Sequence, residues 1–308
     1  MKLGDVGISQ WVFNSNGTQW YPQGRAICYL APEVLKRDGF STKVDVWALG
    51  VIILEMLNQR PPFTDQESVL NQPPPEARDG TSPELKQVIK KMLEKNPDSR
   101  PTIEEILEMA PFKKQPPPNL PQNQAPQPKF DENLHLPEQQ HDPEPDLSDY
   151  AIVQPLDLSS GSLGPAPLVA TSKSEKVAKG NLPHFYVLKL IPLSRFGIGK
   201  QIRLFYAQKE LQRLADHNHP SMVNVYNFFL QGAFLHVVSD FVVGDNLSKV
   251  IGKMAQMKSL FPETHIIRWL GQIAQVMMHF HKLQPPVLHG HLRPEVIFVS
   301  IFLFLCFY

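Results

Sequence analysis

Apolar positions fall in three regimes along the chain. In the first, helical spacing dominates. Asp45 to Leu54 is apolar nearly all round, which predicts a buried central helix opened by Ser41 and Thr42. Ser82-Pro83-Glu84 is a helix start with proline at the first helical position. Leu85, Val88, Ile89, Met92 and Leu93 then share one face. Thr102-Ile103-Glu104-Glu105 has the form of a capping box for a short last helix. The second regime, from Lys113, lacks apolar periodicity. The third begins near Tyr150 with strand-like runs at Ala151–Val153, Phe185–Leu188 and Leu235–Val238. Two helices are predicted there, from Ile202 to Ala215 and from Thr264 to His281, the second with Ile267, Leu270, Ile273, Ala274 and Met277 on one side.

Composition sharpens those boundaries. Residues 113–149 are rich in Pro, Gln, Asn and Asp, and read as a disordered linker with polyproline-II character. Its PxxP match, Pro118 to Pro121, has no basic residue placed beside it for an SH3 ligand. The expected organisation is therefore 1–112, the linker, 150–300, and an apolar tail 301–308 read as an aberrant end. The run Val296–Tyr308 is too short for the ~20 residues that cross a bilayer, so a membrane role is not expected. Thirty basic residues balance thirty acidic ones, which gives no pull toward nucleic acid. Cys28 and Cys306 are too few for a disulfide framework, and the start lacks a secretory h-region, so a cytoplasmic protein is expected.

Residues 1–112 resemble the C-terminal lobe of a eukaryotic protein kinase. Asp5-Val6-Gly7 stands at the metal-binding D-F-G, and Tyr29-Leu30-Ala31-Pro32-Glu33 matches the motif closing the activation segment. Asp45-Val46-Trp47-Ala48-Leu49-Gly50 matches the central-helix signature. Arg60-Pro61-Pro62-Phe63 and Asn96 to Pro101 match two later landmarks. The resemblance implies a magnesium role for Asp5, an ion pair between Glu33 and Arg100, and a structural role for Asp45.

Residues 150–300 resemble the remainder of a kinase, up to the catalytic loop. Gly161 and Gly164 lie at the Gly-rich loop, weakened by Ser159, Pro165 and Pro167. Tyr186-Val187-Leu188-Lys189 matches the lysine strand, Glu210 stands at its helix partner, and Ser239 and Phe241 lie at the gatekeeper and hinge. His289-Gly290-His291-Leu292-Arg293-Pro294-Glu295-Val296-Ile297 overlays H-R-D-L-K-P-E-N-I, pointing to a Ser/Thr-type, broadly NIMA-related ancestor. The implied fold is α+β: a helical C-lobe piece followed by a separate N-lobe of antiparallel sheet plus helix, carrying the first C-lobe helices.

Phosphoryl transfer rests on positioning and electrostatic stabilisation. His291 replaces the catalytic aspartate, Arg293 the loop lysine, Val296 the metal-binding asparagine, and Gly290 the arginine that would hold a phosphorylated activation segment. The chain is therefore expected to be an inactive, regulatory or scaffolding pseudokinase, binding ATP with magnesium weakly at most. Its expected partners are other proteins, such as a kinase or a signalling protein. The alternative is a fragment or isoform of an active Ser/Thr kinase. The four histidines His279, His281, His289 and His291 are read as a helix end and a loop, not a zinc site. Residues 150–300 followed by 1–112 would also compose one kinase in permuted order. A fragment of a longer tandem kinase is preferred, because a junction at a buried active site rarely tolerates permutation.

Overall fold

The computed structural model describes residues 1–4, 24–39, 41–114, 146–155, 167–173, 185–197, 200–217 and 219–300. Asp5, Gly161, Gly164, most of the linker and the tail 301–308 lie outside them.

Among the described residues the first piece contributes a short strand β1 (Lys2–Leu3) and the α-helices α1 (Pro32–Lys36), α2 (Lys43–Asn58), α3 (Gln66–Asn71), α4 (Pro83–Met92) and α5 (Ile103–Glu108). Helix α2 is buried from Val44 to Leu57, as its all-round apolar sequence predicts. Its start differs in detail. Thr42 makes no side-chain cap, while Ser41 Oγ accepts the Lys43 N–H at 3.3 Å. Helix α4 is capped by Ser82 and buries Leu85, Val88, Ile89 and Met92. The Thr102–Glu105 capping box closes in both directions, with bonds of 3.1 and 2.6 Å.

The second piece supplies β2 (Tyr150–Pro155), β3 (Leu168–Ser172), β4 (Phe185–Pro192), α6 (Lys200–Asp216), β5 (Val225–Gln231) and β6 (Phe234–Asp240). Beyond them come β7 (Gly244–Asn246), α7 (Leu247–Gln256), α8 (Glu263–His281) and β8 (Ile297–Ser300). Strands β2 to β6 form an antiparallel sheet in the order β2-β3-β4-β6-β5. The fold is α+β and protein-kinase-like.

The two pieces do not stay apart. Strand β1 pairs antiparallel with β8, Lys2 opposite Phe298 and Leu3 opposite Ile297, and β7 covers the other edge of β8. Leu3 N donates to Ser221 O and Val223 N donates to Leu3 O, both at 2.8 Å. One hydrophobic core contains Trp47, Leu49 and Ile53 of α2 together with Trp269, Ile273 and Phe280 of α8, and reaches Phe196 and Leu211 below the sheet. A smaller cluster of Tyr150, Tyr186, Leu188 and Phe229 packs within the sheet. The two pieces thus share one core and one strand ladder.

Candidate functional site

The catalytic-loop segment is held by one carboxylate. Asp45, on the first turn of α2, is 1% exposed. Its Oδ2 accepts the His289 N–H and the Nε2 of His281, each at 2.9 Å, and its Oδ1 accepts the Gly290 N–H at 2.9 Å. Burial works to raise the Asp45 carboxyl. The His281 hydrogen bond and charge and the Gly290 N–H outweigh burial and hold it below the usual carboxylate range. His281 closes α8, so Asp45 ties that helix end and the loop to α2. Sequence reading assigned His281 only to a helix end and missed this bond, which joins positions 236 apart.

His289 passes the organisation on. Its Nδ1 accepts the His291 N–H at 3.3 Å, so Nε2 carries the proton and donates to Gly4 O at 2.8 Å. Gly4 N donates to Val296 O at 2.8 Å. A Cβ on Gly4 would stand 3.1 Å from the Phe298 ring, a tight contact that would require the ring to shift by a few tenths of an ångström. Gly290 adopts φ +72°, a left-handed conformation that glycine takes without strain. The segment leading to Asp5 is thereby laid directly against the catalytic loop.

The expected positions can now be placed. His291 sits at the loop tip beside Gly290, facing a narrow cleft also lined by Tyr29, Leu30, Val34 and Asp45. Arg293 lies 3.8 Å from Glu295. Val296 is 4% exposed and packed in the core. Where the resemblance calls for a metal-binding amide, an isopropyl group stands in an apolar setting. That position does not fit a magnesium ion, a hard cation that takes oxygen ligands. Among the described residues, no group of three or more His, Cys, Asp or Glu could hold a metal ion.

The other expected positions lie on the sheet and on α6. Lys189 is half-buried on β4, opposite Val237 of β6. Ser239 stands opposite Val187. Phe241 leaves β6 with its ring 6.2 Å from Phe185. Glu210 does not take Lys189 as its described partner. Its carboxylate receives Arg213 Nη1 at 3.1 Å, one turn along α6. The i,i+3 spacing of an acid and a base favours that local pair, and Arg213 also donates through Nη2 to Pro285 O.

Two further anchors frame the site. Arg100 grips Glu33 with two bonds, Nη1 to Oε1 at 2.6 Å and Nη2 to Oε2 at 2.7 Å. Its remaining donors go to the carbonyls of Lys43, Glu94 and Lys95, and its guanidinium lies 5.1 Å from the Trp47 ring centroid. Every charge-bearing atom of this buried pair is thus satisfied. At the end of β6, Asp240 accepts Lys2 Nζ at 2.6 Å, Tyr226 Oη at 2.5 Å and Asn224 Nδ2 at 3.0 Å. Burial opposes ionisation of Asp240, but the Lys2 and Tyr226 bonds prevail and its carboxyl lies below the ordinary range. Burial and that bond push the Tyr226 phenol up, a direction that keeps it a donor. No local sequence signal marks this cluster.

Comparison with known proteins reaches the first piece. Residues 1–112 match the protein kinase domain model. The chain is 36% identical over 119 residues to the calcium/calmodulin-dependent protein kinase type II of Caenorhabditis briggsae, covering 35% of this chain and 22% of that protein. It is 39% identical over 92 residues to the CBL-interacting protein kinase 25 of Oryza sativa subsp. japonica, covering 28% of this chain and 18% of that protein. It is 38% identical over 121 residues to the MAP kinase kinase kinase mkh1 of Schizosaccharomyces pombe, covering 34% and 11%. The chain therefore spans about a fifth or less of the length of these curated relatives. On that match residues 1–112 are similar to a protein kinase domain, and the fold is protein-kinase-like.

Proposed function

We propose that this chain is a catalytically inactive kinase-like protein that works by binding other proteins, a kinase or a signalling protein among them, in the cytoplasm. One observation carries the reading. The segment that resembles a kinase catalytic loop is held by Asp45 and His289, yet it has His291 and Val296 where that resemblance calls for a base and a second metal ligand. A neutral imidazole can accept a proton, but it does not orient a hydroxyl beside a metal site as an anion does. A buried valine offers no oxygen. The partial donor set, with Lys189 half-buried on β4 and Glu210 engaged by Arg213, supports at most weak binding of ATP with magnesium, which would supply the charge neutralisation for its phosphates. Among the described residues no helix is long and apolar enough to cross a membrane.

The second reading, a piece of an active Ser/Thr kinase, draws on the kinase names of the relatives. Radiolabelled ATP with magnesium and a generic protein substrate separates the two, run beside thermal melting with and without nucleotide. The expected result is transfer at the no-protein background and a melting shift below about 2 °C, where RT ln(1 + [L]/Kd) is small. Transfer above background that disappears in Asp5→Ala would overturn the inactive reading.

A further inference from the structure

Ser82 sits where the two halves of the chain meet. Its N–H donates to Glu263 Oε2 at 2.9 Å and its hydroxyl donates to Glu263 Oε1. The same hydroxyl oxygen accepts the Leu85 N–H at 3.3 Å, which caps α4. Glu263 opens α8, so this one side chain couples two helices from opposite halves. Arg78 works beside it, donating through Nη2 to Phe261 O at 2.6 Å. Its other terminal nitrogen, Nη1, is buried with no hydrogen-bond partner among the described residues. Ser82 itself is half-buried, while Asp79, Gly80, Pro83 and Glu84 around it are exposed. Pro83 keeps Ser82 extended, at φ −60° and ψ 145°, rather than helical.

We propose that Ser82 is a phosphoacceptor for a proline-directed protein kinase, and that its phosphorylation opens the Ser82–Glu263 contact between the halves. The Ser82 oxygen attacks the γ-phosphorus of ATP held by the modifying kinase. The bond to the β-phosphate oxygen breaks, ADP leaves with its electron pair, and the hydroxyl proton passes to that kinase's base. The product loses the proton it shared with Glu263 and gains a charge of about −1.5 to −2. Two anions then face each other at hydrogen-bond distance. The α4 amino end and Arg78 Nη1 attract the phosphate, and Arg78, whose charge also acts on Glu263, is drawn from that single charge to the stronger anion. The phosphate stays with α4 and Glu263 is expelled. The inference is independent of whether the nucleotide cleft is active.

The test treats the full chain with a proline-directed Ser/Thr kinase and ATP, maps phosphate by mass spectrometry and compares amide exchange with the unmodified chain. Phosphate is expected on Ser82 and is lost in Ser82→Ala. Exchange should rise severalfold across residues 259–266 while residues 83–86 stay as protected as before. In Glu263→Gln, which has no charge to repel, phosphorylation should leave exchange at 259–266 unchanged. Failure of the chain to accept phosphate at Ser82, when a peptide of residues 77–90 accepts it from the same kinase, overturns the proposal. So does a phosphorylated chain whose 259–266 exchange matches the unmodified one.

Discussion

Asp45 shows how much one residue can organise. Removing its charge leaves two loop N–H groups and the His281 ring facing an amide that matches them poorly. Asp45→Asn is expected to lower stability by about 3 kcal/mol, read by urea unfolding. Because its carboxyl is held below the ordinary value, its contribution is present above pH ~4 and is lost as pH falls through the folded value. His219 acts with the opposite preference. Burial, aided by the charge of His279, pushes it down to about 4, so it stays neutral when folded and takes up its proton on unfolding. Stability should therefore fall as pH drops from about 6.5 toward 4, and His219→Asn should flatten that slope in melts across the range. Breaking the Glu33–Arg100 pair is also a residue-scale experiment. Arg100→Met strands a buried carboxylate and should lower stability by about 3–5 kcal/mol, more than a double replacement that removes both charges.

At the scale of elements, what could be read beforehand depended on whether the signal was local. Helix α2 was legible because its apolar residues leave no polar face, and α5 because Thr102 and Glu105 satisfy each other three residues apart. Thr102→Ala should lower stability by about 1 kcal/mol, the ordinary loss for a helix cap, measured by chemical unfolding. Strand β5 was harder to see. A register shift between Val225 and Asn227 breaks its alternation, so its sequence lacks the period of a strand. Strand β3 is five residues long and its contacts are with its neighbours in the sheet. The catalytic loop was legible as residue types in order. Its tether was not, because Asp45 meets His281, His289 and Gly290 across more than 230 positions. Glu210 pairs with Arg213, a partner visible in the sequence only as an acid and a base three apart.

The whole molecule closes along a seam between segments far apart in sequence. Across it run the β1–β8 ladder, the Lys2–Asp240 and Lys282–Glu104 ion pairs, the Asp45 tether and the shared core of α2 and α8. Backbone bonds cross the seam as well: Leu3 bonds Ser221 and Val223, and Gly4 bonds Val296. An organised loop without its carboxylate exists only if this seam is closed. Zero-length carbodiimide cross-linking of the dilute chain, followed by peptide mapping, measures that directly. Links from Lys2 to Asp240 and from Lys282 to Glu104 within one chain are the expected result. Links confined to each half, with none joining residues 1–112 to residues 150–300, would contradict the assembly and the reading of the catalytic loop built on it.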